Sequence, residues 1–197
     1  MKMRITCILL ALVMVFVFTP VFASNQPSTW AVDDVEWAIL LGLVPEKLQS
    51  QYTQPITRAE FAALVITFYE EWYGEVAGRL FFSDTSDVYV QKAAYLGIVT
   101  GVGNNVFAPN SLITREQSAV MLSRLIFAFG GQLPNNTASF SDNGDISYWA
   151  ISYVGQIQGV GIIGGVGGNL FQPNGQFTRE QGIVTMLRVL DYLLNTL

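Results

Sequence analysis

The sequence predicts an all-α protein, mostly helical, in which three helix-loop-helix units close into a pseudo-threefold bundle. Three observations carry that prediction. A short block recurs as Ile56-Thr57-Arg58-Ala59-Glu60, Ile113-Thr114-Arg115-Glu116-Gln117 and Phe177-Thr178-Arg179-Glu180-Gln181. Each block is followed by apolar residues at helical spacing, and two of the three are preceded by nearly superimposable Gly/Asn/Pro loops. Self-similarity of this kind decides the architecture before any single motif does.

The chain opens with Met1-Lys2-Met3-Arg4, runs apolar from Ile5 to Phe18, and reaches Ala23 before polar Ser24. A basic start, a short apolar core and small residues ahead of a polar stretch predict a secretion signal over residues 1–23, cleaved after Ala23; the alternative is an uncleaved anchor. Cys7, the sole cysteine, leaves with it, so no disulfide or thiol chemistry is expected. Loss of Lys2 and Arg4 takes the formal charge from −5 to about −7. Such a surface does not attract nucleic acid or anionic lipid at long range, so no nucleic acid and, after signal cleavage, no membrane is expected as a partner. There is no histidine, which removes the commonest general base and metal ligand. No metal or other cofactor is expected.

The three units are read at residues 28–73, 82–130 and 140–194, with linkers near Gly74 to Leu80 and Gly130 to Ser139. Trp30 and Trp149 each stand 12 residues before a glycine, Gly42 and Gly161, near the start of a first helix. The loop Gly97-Ile98-Val99-Thr100-Gly101-Val102-Gly103-Asn104-Asn105-Val106-Phe107 matches Gly161-Ile162-Ile163-Gly164-Gly165-Val166-Gly167-Gly168-Asn169-Leu170-Phe171. Short extended pieces such as Ile98 to Thr100 are expected there. In each recurring block the Thr is a helix N-cap, and the Glu or Gln three residues later completes a capping box. Counting 5, 8, 12 and 15 residues from that Thr gives Ala62, Val65, Tyr69, Trp72; Ala119, Leu122, Ile126, Phe129; and Ile183, Met186, Leu190, Leu193. One narrow stripe on each of three equivalent helices is satisfied when the helices pack on one another.

The capping reading puts Arg58, Arg115 and Arg179 at the first helical position. A helix N-terminus carries partial positive charge and repels a cation by about 0.3 to 1 kcal/mol. Either each Arg is an exposed or locally salt-bridged side chain that contributes little to folding, or it holds an anion.

These residues bring a family into view. The chain resembles the S-layer homology repeat, found in triplicate on bacterial surface proteins, through the "ITRAE" type of block and the "GIVTGVGNNVFAPN" type of loop. The resemblance implies a three-pronged bundle that binds secondary cell-wall polysaccharide, often pyruvylated, in grooves between repeats, so that the protein is secreted and stays at the cell surface. It implies that Arg58, Arg115 and Arg179 contact the anionic sugar. Another surface protein is a further candidate partner, and a self-associating surface-layer protein or adaptor without direct glycan binding is the alternative.

A planar guanidinium can hold a carboxylate through two parallel hydrogen bonds, and a pyruvate ketal supplies one. Trp30 and Trp149 can pack in the core or stack on a sugar ring at a groove edge. Gly103 and Gly167, with Asn105 and Asn169 at matching loop positions, can serve turns or let a glycan approach closely. Unit two has no Trp and unit one no Gly-x-Gly loop, while "REQ" replaces "RAE" in units two and three. Arg179 is therefore expected to matter most, because its unit alone has Trp, loop and Arg together. Neither loop completes a dinucleotide-binding G-x-G-x-x-G, and no Walker lysine follows. Asp84, Asp87, Asp142 and Asp145 lack the alternating ligands and closing Glu of a calcium loop, so helix capping is expected of them. No carboxylate pair stands out for glycoside hydrolysis, and no enzyme is expected.

Overall fold

The computed structural model describes residues 25–196, so the leader read at residues 1–23 lies outside it. The described residues form six α-helices: α1 (Val32–Leu40), α2 (Arg58–Tyr73), α3 (Val88–Tyr95), α4 (Arg115–Ala128), α5 (Ile151–Gly159) and α6 (Arg179–Thr196). No strand is present among them. Ile98 to Thr100, expected to be extended, forms none, and pairing is limited to isolated bridges such as Thr57 with Leu112.

The long helices begin where the capping threonines stand. Thr57 Oγ1 accepts from the Glu60 amide at 3.2 Å, and the Glu60 carboxylate accepts the Thr57 amide at 2.9 Å. Thr114 with Gln117 and Thr178 with Gln181 repeat both bonds. The short helices α1, α3 and α5 end alike, in Gly42, Gly97 and Gly161 at φ of 73°, 71° and 74°. After each glycine the next amide reaches back into the helix, Leu43 to Ala38 O, Ile98 to Ala93 O and Ile162 to Ile157 O. This is the Schellman ending that a left-handed residue permits.

Packing is cyclic rather than unit by unit. The first helix of each unit lies against the second helix of the unit before it: α3 on α2, α5 on α4, and α1 on α6. The helices α2, α4 and α6 also touch one another at the centre. At the axis three backbone bonds close a ring: the Ile56 amide donates to Phe177 O, Phe177 to Ile113 O, and Ile113 to Ile56 O.

The central stripe is buried as expected over most of its length, with one correction. Trp72 is 52% exposed, beyond the end of the bundle. The stripe is also too narrow a description. Phe61, Ala63, Leu64, Ile66 and Phe68 of α2 are wholly buried as well, because α3 and the loops cover the faces that the other central helices do not. Gly74 (φ 73°) and Gly130 (φ 81°) begin the two linkers.

Candidate functional site

The three arginines do not project into solvent. Arg58 is 7% and Arg115 5% exposed, which corrects the expectation of exposed cations at helix starts. Each reaches across to the loop of the following unit. Arg58 Nε donates to Phe107 O at 2.9 Å and Nη2 to Thr100 O at 3.1 Å. Arg115 repeats this with Phe171 O and Gly164 O, both at 2.7 Å. The guanidinium also lies over an aromatic ring, 4.6 Å from Phe107 for Arg58 and 5.0 Å from Phe171 for Arg115. Burial lowers both arginine pKa values, with Asp84 and Asp142 acting in the opposite direction, and a guanidinium remains charged throughout.

The loops are clamped from the other side by aspartates. Asp84 accepts the amides of Phe107 and Ala108 at 2.8 and 2.7 Å, and Asp142 those of Phe171 and Gln172 at the same distances. These bonds hold both carboxyls below the usual range, helped by the charges of Arg58 and Arg115. Of the four aspartates expected to cap helices, Asp87 does so, accepting from Tyr89 and Val90. Asp84 and Asp142 are loop clamps instead, and Asp145 sits in a short 3₁₀ turn. The clamped residues explain the choice: Ala108 and Gln172 have φ of 60° and 56°, strained for residues with a side chain and held by the paired bonds.

Two clefts open beside these loops. The first, of about 370 Å³, is lined by Arg58, Thr100, Gly101, Gln117, Arg124 and Trp149 among others. The second, of about 430 Å³, is lined by Arg115, Gly164, Gly165, Gln181, Arg188 and Trp30 among others. Each is assembled from three units: the Arg of one, the loop and second helix of the next, and the Trp of the third. Trp30 and Trp149 are 54% and 52% exposed, at the cleft edge rather than in the core. Gly101 is required for this wall, since a Cβ there would stand 2.6 Å from Val106 O; at Gly165 the corresponding distance to Leu170 O is 2.9 Å. Gly103, Gly167, Asn105 and Asn169 lie outside the residues lining either cleft. All four have positive φ, and Asn169 Nδ2 donates to Ser139 O and Ser141 Oγ, so these positions hold turns.

Each cleft has a second cation that the sequence reading missed. Arg124 and Arg188 both stand ten residues after a capping Thr, a repeat that could have exposed them. Arg124 lies 5.6 Å from the Tyr153 ring, and Arg188 donates to Ile162 O at 3.1 Å.

The departures from the repeat pattern are coupled. Glu116 accepts the backbone amide and hydroxyl of Ser147, both at 2.9 Å, and Glu180 accepts those of Ser28, both at 2.8 Å. Ser147 and Ser28 stand two residues before Trp149 and Trp30, so each glutamate fixes the turn that carries a cleft tryptophan. In unit one the position is Ala59, and the unit it faces has no Trp. "REQ" and Trp therefore occur as a set.

The third junction differs. Arg179 meets the Ser50 carbonyl at 3.0 Å and the Glu60 carboxylate at 2.6 Å. Its Nε is buried without a partner, because unit one has no loop carbonyl matching Phe107 O or Phe171 O. Trp149, Gly101 and Arg58 come together, as do Trp30, Gly165 and Arg115. Arg179 joins neither group, which corrects the expectation that its own unit supplies its Trp and loop. Its hydrogen bond to Glu60 helps hold that carboxyl below the usual range, together with the Thr57 amide and against the effect of burial.

Comparison with known proteins places these features. The S-layer homology domain profile matches residues 82–119 and 139–181. The amylopullulanase of Thermoanaerobacterium thermosulfurigenes is 31% identical over 175 residues, covering 82% of this chain and 9% of that protein. The exoglucanase XynX of Acetivibrio thermocellus is 32% identical over 175 residues, covering 82% of this chain and 16% of that protein. Cell surface glycoprotein 1 of Acetivibrio thermocellus is 28% identical over 136 residues, covering 61% of this chain and 6% of that protein. The chain thus spans a small part of the length of these relatives.

Proposed function

Since the chain belongs to the S-layer homology family, we propose that it stays at the bacterial cell surface by noncovalent binding of an anionic cell-wall polysaccharide. The ligand sits in the Arg58 and Arg115 clefts, and a pyruvate ketal on the secondary wall polymer supplies its carboxylate. The observation that carries the reading is the composition of the clefts. In a chain of formal charge −5, each brings two arginines, a glutamine amide and the face of a tryptophan to one concave wall. A tryptophan face packs on a sugar ring, and the paired cations select an acidic one. No catalytic step is assigned to this chain.

The arginines share the work unequally. Nε and Nη2 of Arg58 and Arg115 are engaged with carbonyls, and Arg58 Nη1 also donates to Gln117 Oε1 at 3.4 Å, which leaves the remaining Nη1 hydrogens for a ligand. A bidentate grip by the buried arginine alone is therefore replaced by a shared one, with Nη1 on one carboxylate oxygen and Arg124 or Arg188 on the other. In the third junction Glu60 already occupies Arg179, so the chain is bivalent.

The test is affinity for purified wall polysaccharide, native and with its pyruvate removed. Arg124→Ala or Arg188→Ala each removes a charged hydrogen bond of about 1.5 to 3 kcal/mol at one cleft. Avidity masks a single loss, so the double variant falls furthest. A folded double variant that binds like the parent would refute the cleft assignment. Undiminished binding of the depyruvylated polymer would refute the ligand group.

Self-association without glycan is the second reading. It is favoured by an apolar cleft of about 320 Å³ at the C-terminal ends of the central helices, lined by Trp72, Tyr73, Phe129, Leu190, Leu193 and Leu194. Light scattering without wall material separates the two, since only self-association gives larger particles there.

A further inference from the structure

The two clefts share a frame and, apart from the conservative Val99 and Ile163, differ at two matched positions. Seven residues after the capping Thr, the Arg58 cleft has Met121 and the Arg115 cleft has Thr185. Three residues after the helix-ending glycine, the first has Thr100 and the second Gly164. Met121 is 4% exposed and flanked by Val120 and Val99, so it closes the first cleft with an apolar floor. Thr185 is shorter, and its hydroxyl donates to Gly182 O at 2.6 Å, which presents oxygen lone pairs rather than a thioether. Thr100 narrows the first cleft further and is within 3.5 Å of Arg124 Nη1, whereas Gly164 has open space where a side chain would stand. The volumes follow these substitutions, about 370 against 430 Å³.

Resting on the proposed glycan binding, we infer that the clefts select different sugar residues. The Arg58 cleft takes a residue with an apolar substituent, the methyl of an N-acetyl group, seated against Met121. The Arg115 cleft takes a bulkier, hydroxyl-rich residue against Gly164 and Thr185. One polymer must then present both at a spacing that spans the clefts, so recognition reads two kinds of residue and not a single repeated one.

Each cleft is isolated by disabling the other, with Trp30→Ala and Arg188→Ala leaving the Arg58 cleft, and Trp149→Ala and Arg124→Ala leaving the Arg115 cleft. The probes are the methyl glycosides of a pyruvylated N-acetylhexosamine and of the same pyruvylated hexose with a hydroxyl in place of the acetamide. Titration calorimetry should give the Arg58 cleft about a tenfold or greater preference for the N-acetyl probe, the discrimination that one buried methyl provides. The Arg115 cleft should discriminate less than threefold. Adding Thr185→Met and Gly164→Thr to the second variant should raise its preference to that of the first. Equal ranking of the probes by both clefts, or no change on the swap, overturns the inference while leaving glycan binding in place. Failure of the parent to bind either probe or the wall polymer overturns both.

Discussion

Replacing Arg58 by Ala separates a structural arginine from a merely exposed one. The side chain is 7% exposed, donates two hydrogen bonds to carbonyls of the next unit, and lies 4.6 Å over the Phe107 ring. Each bond from a charged donor is worth about 1.5 to 3 kcal/mol, and the ring contact about 0.5 to 2. Relief from burying a cation offsets part of this, so the net loss is about 3 to 5 kcal/mol, the range for breaking a buried charged network. In a domain of this size that corresponds to a fall in Tm of roughly 6 to 20 °C. The measurement is a thermal melt of Arg58→Ala beside Arg58→Lys and Arg124→Ala. Lys keeps the charge but cannot bridge both carbonyls, so it should fall between parent and Ala. Arg124, half-exposed on the same wall, should shift Tm little. An Arg58→Ala melt within 2 °C of the parent would refute the reasoning and return the arginine to the exposed role expected of it.

Thr57→Ala, Thr114→Ala and Thr178→Ala should each destabilise by about 0.5 to 2 kcal/mol, read from denaturant midpoints; three unchanged midpoints would mean the boxes contribute nothing. Glu116→Gln should lose about 1 to 2 kcal/mol and quench or shift the fluorescence of Trp149, since the carboxylate anchors the turn that carries it. Glu60→Gln should free Arg179 from its carboxylate partner, and a third ligand equivalent in calorimetry would mark the opening of the third junction. Acid should act through Asp84 and Asp142. Their folded pKa values lie below the unfolded value of about 3.9, so the clamps stabilise above pH 4 and lose effect as pH falls through the folded values. Asp84→Asn with Asp142→Asn should flatten Tm between pH 4 and 2, and an unaltered acid limb would count against the clamps.

The capping boxes were legible in the sequence because their bonds join residues three apart. The Gly/Asn/Pro loops were legible as breaks between helices for a similarly local reason. The partners of Arg58 and Arg115 lie 42 to 56 residues away along the chain, and nothing local distinguishes a carbonyl partner from a ligand. Hence the bare electrostatic argument left an exposed or salt-bridged cation and an external anion both open, and it offered no backbone partner. Assigning each Trp to the Arg of its own unit failed because the units exchange first helices in a cycle, so neighbours in sequence line different clefts. Trp72 was misread by extending a periodic stripe past the end of its partners. Arg124 and Arg188 stand outside the recurring block, and only the tertiary packing brings them onto the walls beside Arg58 and Arg115.

The backbone ring of Ile56, Phe177 and Ile113 fixes the number of units at the moment it closes. An open solenoid accepts another copy at either end and needs special end pieces to stop. Here every donor at the axis already has its acceptor, so a fourth copy would find no vacancy and a lone copy would leave two contacts unmade. The interruption between α6 and α1 is one of three nearly equivalent places to break the polypeptide. Ser28 is held to Glu180 at the start of α6, so a linker that runs back along the length of that helix is needed to join residue 196 to residue 25; with it, reopening the chain in the 130–139 linker should give a permutant with the same melting behaviour and both clefts intact. Copy number in this architecture is a matter of angle rather than of length.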